Sequence, residues 1–305
     1  MSWITVAILA AATSAVVNCF DKRIMHGYVS SPFTMPLLVG IAQMLLGAGI
    51  LIFVKNPDGF SLWPYLSAFS SGIFFGFSGL IMIWLMFRNE VSRIVPIVQT
   101  FPVFTVLIAF IFLGEQLTIV QLLAILLTVL GGIVVSVRYQ PGLAETSLIN
   151  KSFAPLILSS FLLSVGYLAG KIAVSSLPIL ITHGLRSLGL VPLFLGFGIR
   201  KESVEDVKGL IKRRTIAVPL VAFNELICAN CSLLLTVWAI SMGPVSLVSA
   251  VVSTRSLFLL VYTTILGLIS REFLGEEISL VSILLKLLAI LMIVAGIGIL
   301  FLSES

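Results

Sequence analysis

The sequence predicts an all-α polytopic integral membrane protein, with ten transmembrane helices in two inverted five-helix repeats. Three observations carry that reading. Ten stretches of about twenty apolar residues follow one another with only short polar breaks, and a helix of about twenty residues spans the ~30 Å hydrocarbon core of a bilayer. Mean hydropathy is +1.19 and only 10% of the residues are charged, which leaves no room for a soluble domain. The two sides of a polar segment at the midpoint of the chain also look alike.

The expected spans are 3–21, 34–54, 64–87, 92–113, 118–137, 153–176, 180–199, 216–240, 245–269 and 278–302. The first is a retained span, because it lacks the basic leading region of a signal peptide and nothing soluble follows it. Asn56-Pro57-Asp58-Gly59 reads as a tight polar turn before the third span. Residues 139–152 form the linker between the halves, and the polar stretch from Arg200 to Arg214 reads as a loop. The net charge of +5 is that of topology-setting loops rather than of a nucleic-acid binder.

Several echoes define the repeat. Leu113-Gly114-Glu115 after the fourth span answers Leu274-Gly275-Glu276 after the ninth. The run Ala124 to Ile133 answers Ala289 to Gly298, Lys22 answers Lys171, and Gln43 falls where Arg186 falls. Five spans per half is an odd number, so the second half must sit upside down relative to the first. Inverted repeats are a recurrent plan of secondary transporters, with the substrate site near the midplane between the repeats.

The pattern Pro102-Val103-Phe104-Thr105, Leu113-Gly114-Glu115-Gln116-Leu117-Thr118, Gln121 and Gly131-Gly132, with its echo at Leu274-Gly275-Glu276, resembles EamA-type members of the drug/metabolite transporter superfamily. The resemblance covers essentially the whole chain, 1–138 and 153–303 each corresponding to one EamA-like repeat. It implies a transporter of amino acids, sugars, nucleotide-linked metabolites or drugs. Two departures stand out: Gln43 occupies a place where Arg is common, and the ninth span lacks a counterpart of Pro102.

Charges inside the membrane are the sharpest residue-level signals, since each costs roughly 2.5–3.5 kcal/mol to insert. Arg255 lies about ten residues, or ~15 Å, into its span, and Glu225 is similarly deep. Arg186 and Lys286 are a little shallower in theirs, and Lys286 is long enough to snorkel toward an interface. Three bases against one acid favour a ligand with a negative group, which Arg grips with a bidentate fork. Glu225 is then a candidate for a substrate ammonium or for a coupling proton. Neutral polar candidates complete the expected substrate site: Asn18, Gln43 and Gln99 from the first half, Asn224 and Trp238 from the second, with Asn230 and His183 nearby. Asn224, Cys228, Cys231 and Trp238 fall on one face of an ideal helix. The competing structural reading pairs Glu225 with Arg255 or Arg186 as a lock between helices.

Other features read as structural. Glu115 and Glu276 suit helix junctions, where a carboxylate accepts N–H bonds at a helix N-terminus. Gly72, Gly76 and Gly79, and Gly131-Gly132, suit close helix packing. Lys22 and Lys171 sit near span ends, where snorkelling is expected. Cys228 and Cys231 have CxxC spacing without a second pair or a nearby histidine, so no metal and no cofactor is expected. Phosphate-loop, HExxH and GxSxG signatures are absent from the sequence, which argues against an enzyme. Lys and Arg gather in the odd-numbered loops; this places those loops in the cytoplasm and both termini outside, whereas the family resemblance implies both termini inside. The sequence thus points to a secondary transporter of a small polar metabolite, an amino acid or organic anion foremost, working by alternating access in the cell (inner) membrane. The partners are a small molecule, the bilayer and a candidate coupling proton. The alternatives are a cationic-drug or multidrug exporter built on Glu225, and a non-transporting structural membrane protein.

Overall fold

Uninterrupted apolar runs leave the backbone no water to bond with, so each must close its own hydrogen bonds as a helix. The computed structural model describes residues 2–55, 61–86, 97–136, 153–213, 216–269 and 280–303, and all secondary structure among these is helical. The first half contains α1 (Trp3–Gly27), α2 (Thr34–Phe53), α3 (Leu62–Met86), α4 (Phe101–Leu113) and α5 (Ile119–Ser136). The second contains α6 (Phe153–Val174), α7 (Ile179–Gly198), α8 (Lys201–Lys212), α9 (Ala217–Phe223), a π turn (Asn224–Cys228), α10 (Ala229–Met242), α11 (Val245–Ser253), α12 (Arg255–Ile269) and α13 (Leu280–Leu302). Among the described residues, seven helices are long and apolar enough to cross a membrane, and Phe101–Leu113, Ile119–Val134 and Leu287–Leu302 are shorter apolar helices.

Four local departures from the expected spans matter for the site. First, α1 continues to Gly27 through Lys22 and Arg23, because Ile24 and Met25 re-enter a buried apolar cluster with Met35 and Val221. Asp21, expected at the end of a span, is therefore inside a helix. Second, 201–212 is an amphipathic helix and not a loop. Ser203 exchanges hydrogen bonds with the backbone of Arg200 at its start, and Leu210 is its buried apolar contact. Asp206 ties it to the start of α2 by accepting from Ser30 N at 3.0 Å and Thr34 Oγ1 at 2.7 Å. Third, α9 and α10 are joined by a π turn, which carries one more residue per turn than an α-helix.

Fourth, the fourth span of each half is broken in the same way. Thr100 N donates to Ile97 O at 3.2 Å and Thr100 Oγ1 to the same oxygen at 2.7 Å, before α4 begins at Phe101. Thr254 repeats this on Val251, at 3.1 and 2.7 Å, before α12 begins at Arg255. In the first half the cause is Pro102, whose missing N–H leaves the carbonyl of Val98 without an intrahelical donor. Serines of α6 fill the gap: Ser160 Oγ reaches Val98 O at 3.3 Å and Ser164 Oγ reaches Phe101 O at 2.7 Å. The second half lacks the proline, and its break is closed by the Thr254 side chain alone among these groups.

The packing between halves is reciprocal. Helix α1 packs on α10, α11 and α12, and α6 packs on α3 and α4; α2 packs on α7, and α5 on α13. Helices α3 and α7 touch backbone to backbone. A Cβ built on Gly72 would collide with the carbonyl oxygen of Arg186, and one on Gly189 with the carbonyl oxygen of Phe69. Small residues are how membrane helices approach this closely. Gly72→Val is expected to destabilise the fold by about 3 kcal/mol, because the obstacle is main chain and cannot rotate away. Denaturant unfolding in micelles measures it; an unchanged midpoint would show that the two helices are not held at this distance.

The repeated Leu-Gly-Glu turn is described in the first half. Gly114 ends α4 in the left-handed region, φ 65°, where glycine carries no steric cost. Glu115 does not cap the helix that follows it. Its carboxylate accepts from Val245 N at 2.8 Å, Ser246 N at 3.2 Å and Ser246 Oγ at 2.6 Å, at the N-terminus of α11 in the other half. Lys171 does not snorkel either: its Nζ donates to Ile240 O and Gly243 O, both at 2.8 Å, at the C-terminus of α10. An anion at a helix N-terminus and a cation at a helix C-terminus are each favourable to the helix dipole. Together they clamp the α10–α11 junction. Glu276 lies outside the described residues, and Lys22 has its side chain outside them.

Candidate functional site

Arg186 is the centre of the site. It lies on α7, it is 1% exposed, and all three guanidinium nitrogens lack a protein hydrogen-bond partner. Its guanidinium carbon stacks 3.6 Å from the centre of the Phe75 ring. Phe75 continues into a ring ladder, with Tyr167 at 5.3 Å and Phe101 a further 5.3 Å from Tyr167. A cation over an aromatic face is attracted by its quadrupole, but the ring accepts none of the in-plane N–H bonds. The fork therefore remains able to grip an anion.

Other buried polar atoms without protein partners are Gln43 Oε1, both amide atoms of Gln99, Thr182 Oγ1, His183 Nδ1 and Ser187 Oγ. Thr182, His183 and Ser187 share α7 with Arg186, and Gln99 sits at the first-half helix break. Buried polar atoms are normally satisfied, so their concentration here marks a place built for polar contact. Tyr167 is within electrostatic reach of both Arg186 and Arg255, and Arg255, half-buried, is the first residue after the second break.

A second polar group lies at the π turn. Asn224 and Glu225 are 0% and 4% exposed. Asn224 Nδ2 donates to Asp21 Oδ1 at 2.8 Å and to Glu225 Oε1 at 3.1 Å, which brings the two carboxyls to one amide. Asn230 Nδ2 donates to the carbonyl of Glu225 at 2.6 Å and its side chain lies beside His183, which in turn faces Arg186. Buried and half-buried polar groups thus run from Asp21 to Arg255. A cavity of about 220 Å³ between α2, α8 and α9 reaches Glu225; Leu38, Ile41, Leu45, Leu210 and Val221 are among its other, apolar walls.

The sequence-derived residues are thus divided. Arg186, Glu225, Asn224, Gln43 and Gln99 are buried, and Arg255 lies between burial and exposure. Asn18 is half-buried on α1, one turn from Asp21. Trp238 is 38% exposed, and Cys231 is exposed while Cys228 is buried. The single-face stripe of Asn224, Cys228, Cys231 and Trp238 assumed an unbroken α-helix, and the π turn shifts the register between them. Lys286 lies on α13 with its side chain outside the described residues. Glu225 does not pair with Arg255 or Arg186; among the described residues its side-chain partner is Asn224, which also holds Asp21. Sequence reasoning missed Asp21, Phe75 and Tyr167, and His183, a secondary candidate, is 2% exposed.

Residues 1–137 match the model of the EamA-like transporter family. Those residues, a little under half of the chain, are similar to that family. That likeness and the seven described helices long and apolar enough to cross a membrane fit a multi-pass membrane protein. The chain is also similar to a protein of known crystal structure, at 16% identity and a TM-score of 0.64, with 99% of this chain and 96% of that one covered. At that identity the likeness shows the fold alone. No curated protein matches the chain.

Proposed function

We propose that the protein is a secondary transporter of a small polar metabolite with a negative group, an amino acid or organic anion, anchored by Arg186. Two inverted repeats, 1–138 and 153–303 joined by 139–152, would alternate access to a site between them. The observation that carries this is the fully buried, unpaired guanidinium of Arg186 stacked on Phe75. A buried charge without a counter-ion is costly unless something pairs with it, and a carboxylate supplies both the charge and the two acceptors that the fork requires. The reciprocal packing and the twin helix breaks at Thr100 and Thr254 support the repeat, since transporters of this plan build their sites at discontinuous helices. The structural-lock reading loses its pair, because Glu225 meets a second carboxyl and not an arginine. A cationic-drug exporter keeps one supporting observation, the apolar cavity that ends on Glu225.

Thermal-shift screening of the purified protein separates these readings. A ligand that binds only the folded state adds about 2.7 kcal/mol at 100 times its Kd. Glutamate, leucine or succinate is expected to raise the melting temperature of the wild type and not of Arg186→Gln. Stabilisation by tetraphenylphosphonium and by none of the carboxylates would overturn the anion reading.

A further inference from the structure

We propose that Asp21 and Glu225 form a proton-binding site whose occupancy controls whether α1 stays against the π turn, so that the transporter senses pH through this contact. The inference rests on the transporter reading only for its purpose; the site itself stands on geometry. Ionised carboxylates only accept hydrogen bonds. One amide nitrogen, Asn224 Nδ2, lies within 2.8 Å of an Asp21 oxygen and 3.1 Å of a Glu225 oxygen, and two carboxyls brought this close hold one proton between them more readily than two full charges. Asn224 Nδ2 bridges an oxygen of each carboxyl, which fixes their separation without neutralising either.

Among the described side chains, none of the cations is found against the two carboxyls. On the π turn and α10 the neighbours are Cys228, Cys231 and the neutral Asn230. Helix α2 offers the neutral Gln43 and no charged residue, and α9 and α11 carry none. On α8, Asp206 is occupied by Ser30 and Thr34. On α7, His183 lies beside Asn230 and Arg186, and on α12 Arg255 and Tyr262 lie near Tyr167 and Phe258. On α1, Arg23 is exposed, and Lys22 and His26 have side chains outside the described residues.

Asp21 belongs to the first half and Glu225 to the second. Loss of the proton leaves two like charges across the joint between halves, and they repel. Uptake of one proton removes the repulsion, so the reaction balances as one proton bound per closure of the contact. This is the differential affinity that a conformational shift requires.

The test uses full-length protein in proteoliposomes and needs no cargo, so its outcome is separate from that of the Arg186 reading. Infrared difference spectra on raising the pH are expected to show loss of a protonated carboxyl band in the wild type, and no such band in Asp21→Asn or Glu225→Gln. Spin labels at Gly27→Cys and Ile216→Cys, with Cys19, Cys228 and Cys231 changed to Ser, report the gap between α1 and α9. That distance is expected to lengthen as pH rises in the wild type and to stay fixed in Asp21→Asn and in Glu225→Gln. Both substitutions are near-isosteric; if one fails to fold, the other decides. A wild-type spectrum without the band, a band that survives both substitutions, or an equal distance change in the variants overturns the proposal.

Discussion

Arg186→Gln is expected to reduce carboxylate uptake by about 100-fold while the folded yield holds or rises. A charge-assisted hydrogen bond contributes roughly 1.5–3 kcal/mol, and two from one fork exceed the ~2.7 kcal/mol that a 100-fold change represents. Stability moves the other way. The empty guanidinium is buried without a counter-ion, and replacing it by a neutral amide removes a desolvated charge. The lost stacking on Phe75 offsets part of this, by about 2 kcal/mol or less. Radiolabelled uptake into proteoliposomes, normalised to folded protein, reads the first effect, and a melting curve reads the second. A large drop in melting temperature with uptake falling only in proportion to yield would make Arg186 a structural residue.

Glu115→Ala is expected to destabilise the protein by about 3 kcal/mol. The substitution strips the acceptor from Val245 N, Ser246 N and Ser246 Oγ together, and each donor left without a partner in a membrane interior costs about 1–3 kcal/mol. Some of that is recovered by local relaxation, and Glu115→Gln retains one acceptor and loses less. Lys171→Met removes the opposite jaw at Ile240 and Gly243. Because both act on one junction, the double variant is expected to lose less than the sum. Additive losses would mean that the two side chains cap independent helices.

The helical runs were legible because hydropathy is local, and their positions agree with the sequence to within a few residues apart from α1, α8 and the broken fourth spans. Arg186 was legible as a charge no lipid tolerates. What escaped were pairings between distant residues. Glu115 announces a helix junction, but nothing in its neighbourhood says that it reaches Val245, 130 positions away. Asp21 was hidden by Lys22 and Arg23, which mimic the end of a span. The π turn is invisible to any periodicity that assumes a constant residue count per turn. The break at Thr100 had a cue in Pro102; its twin at Thr254 had none.

The two breaks also decide what mutagenesis can see. A helix interrupted in mid-bundle turns its last carbonyls and its next amides toward the interior, and these groups carry opposite partial charges. Polarity supplied by main chain is common to all side chains, so a scan that replaces Phe101 or Arg255 residue by residue leaves it intact. An amide-to-ester exchange at Phe101 or Arg255 deletes the donor while sparing the side chain. Cargo affinity that survives every nearby alanine substitution and falls with that single-atom change would trace selectivity to the peptide backbone.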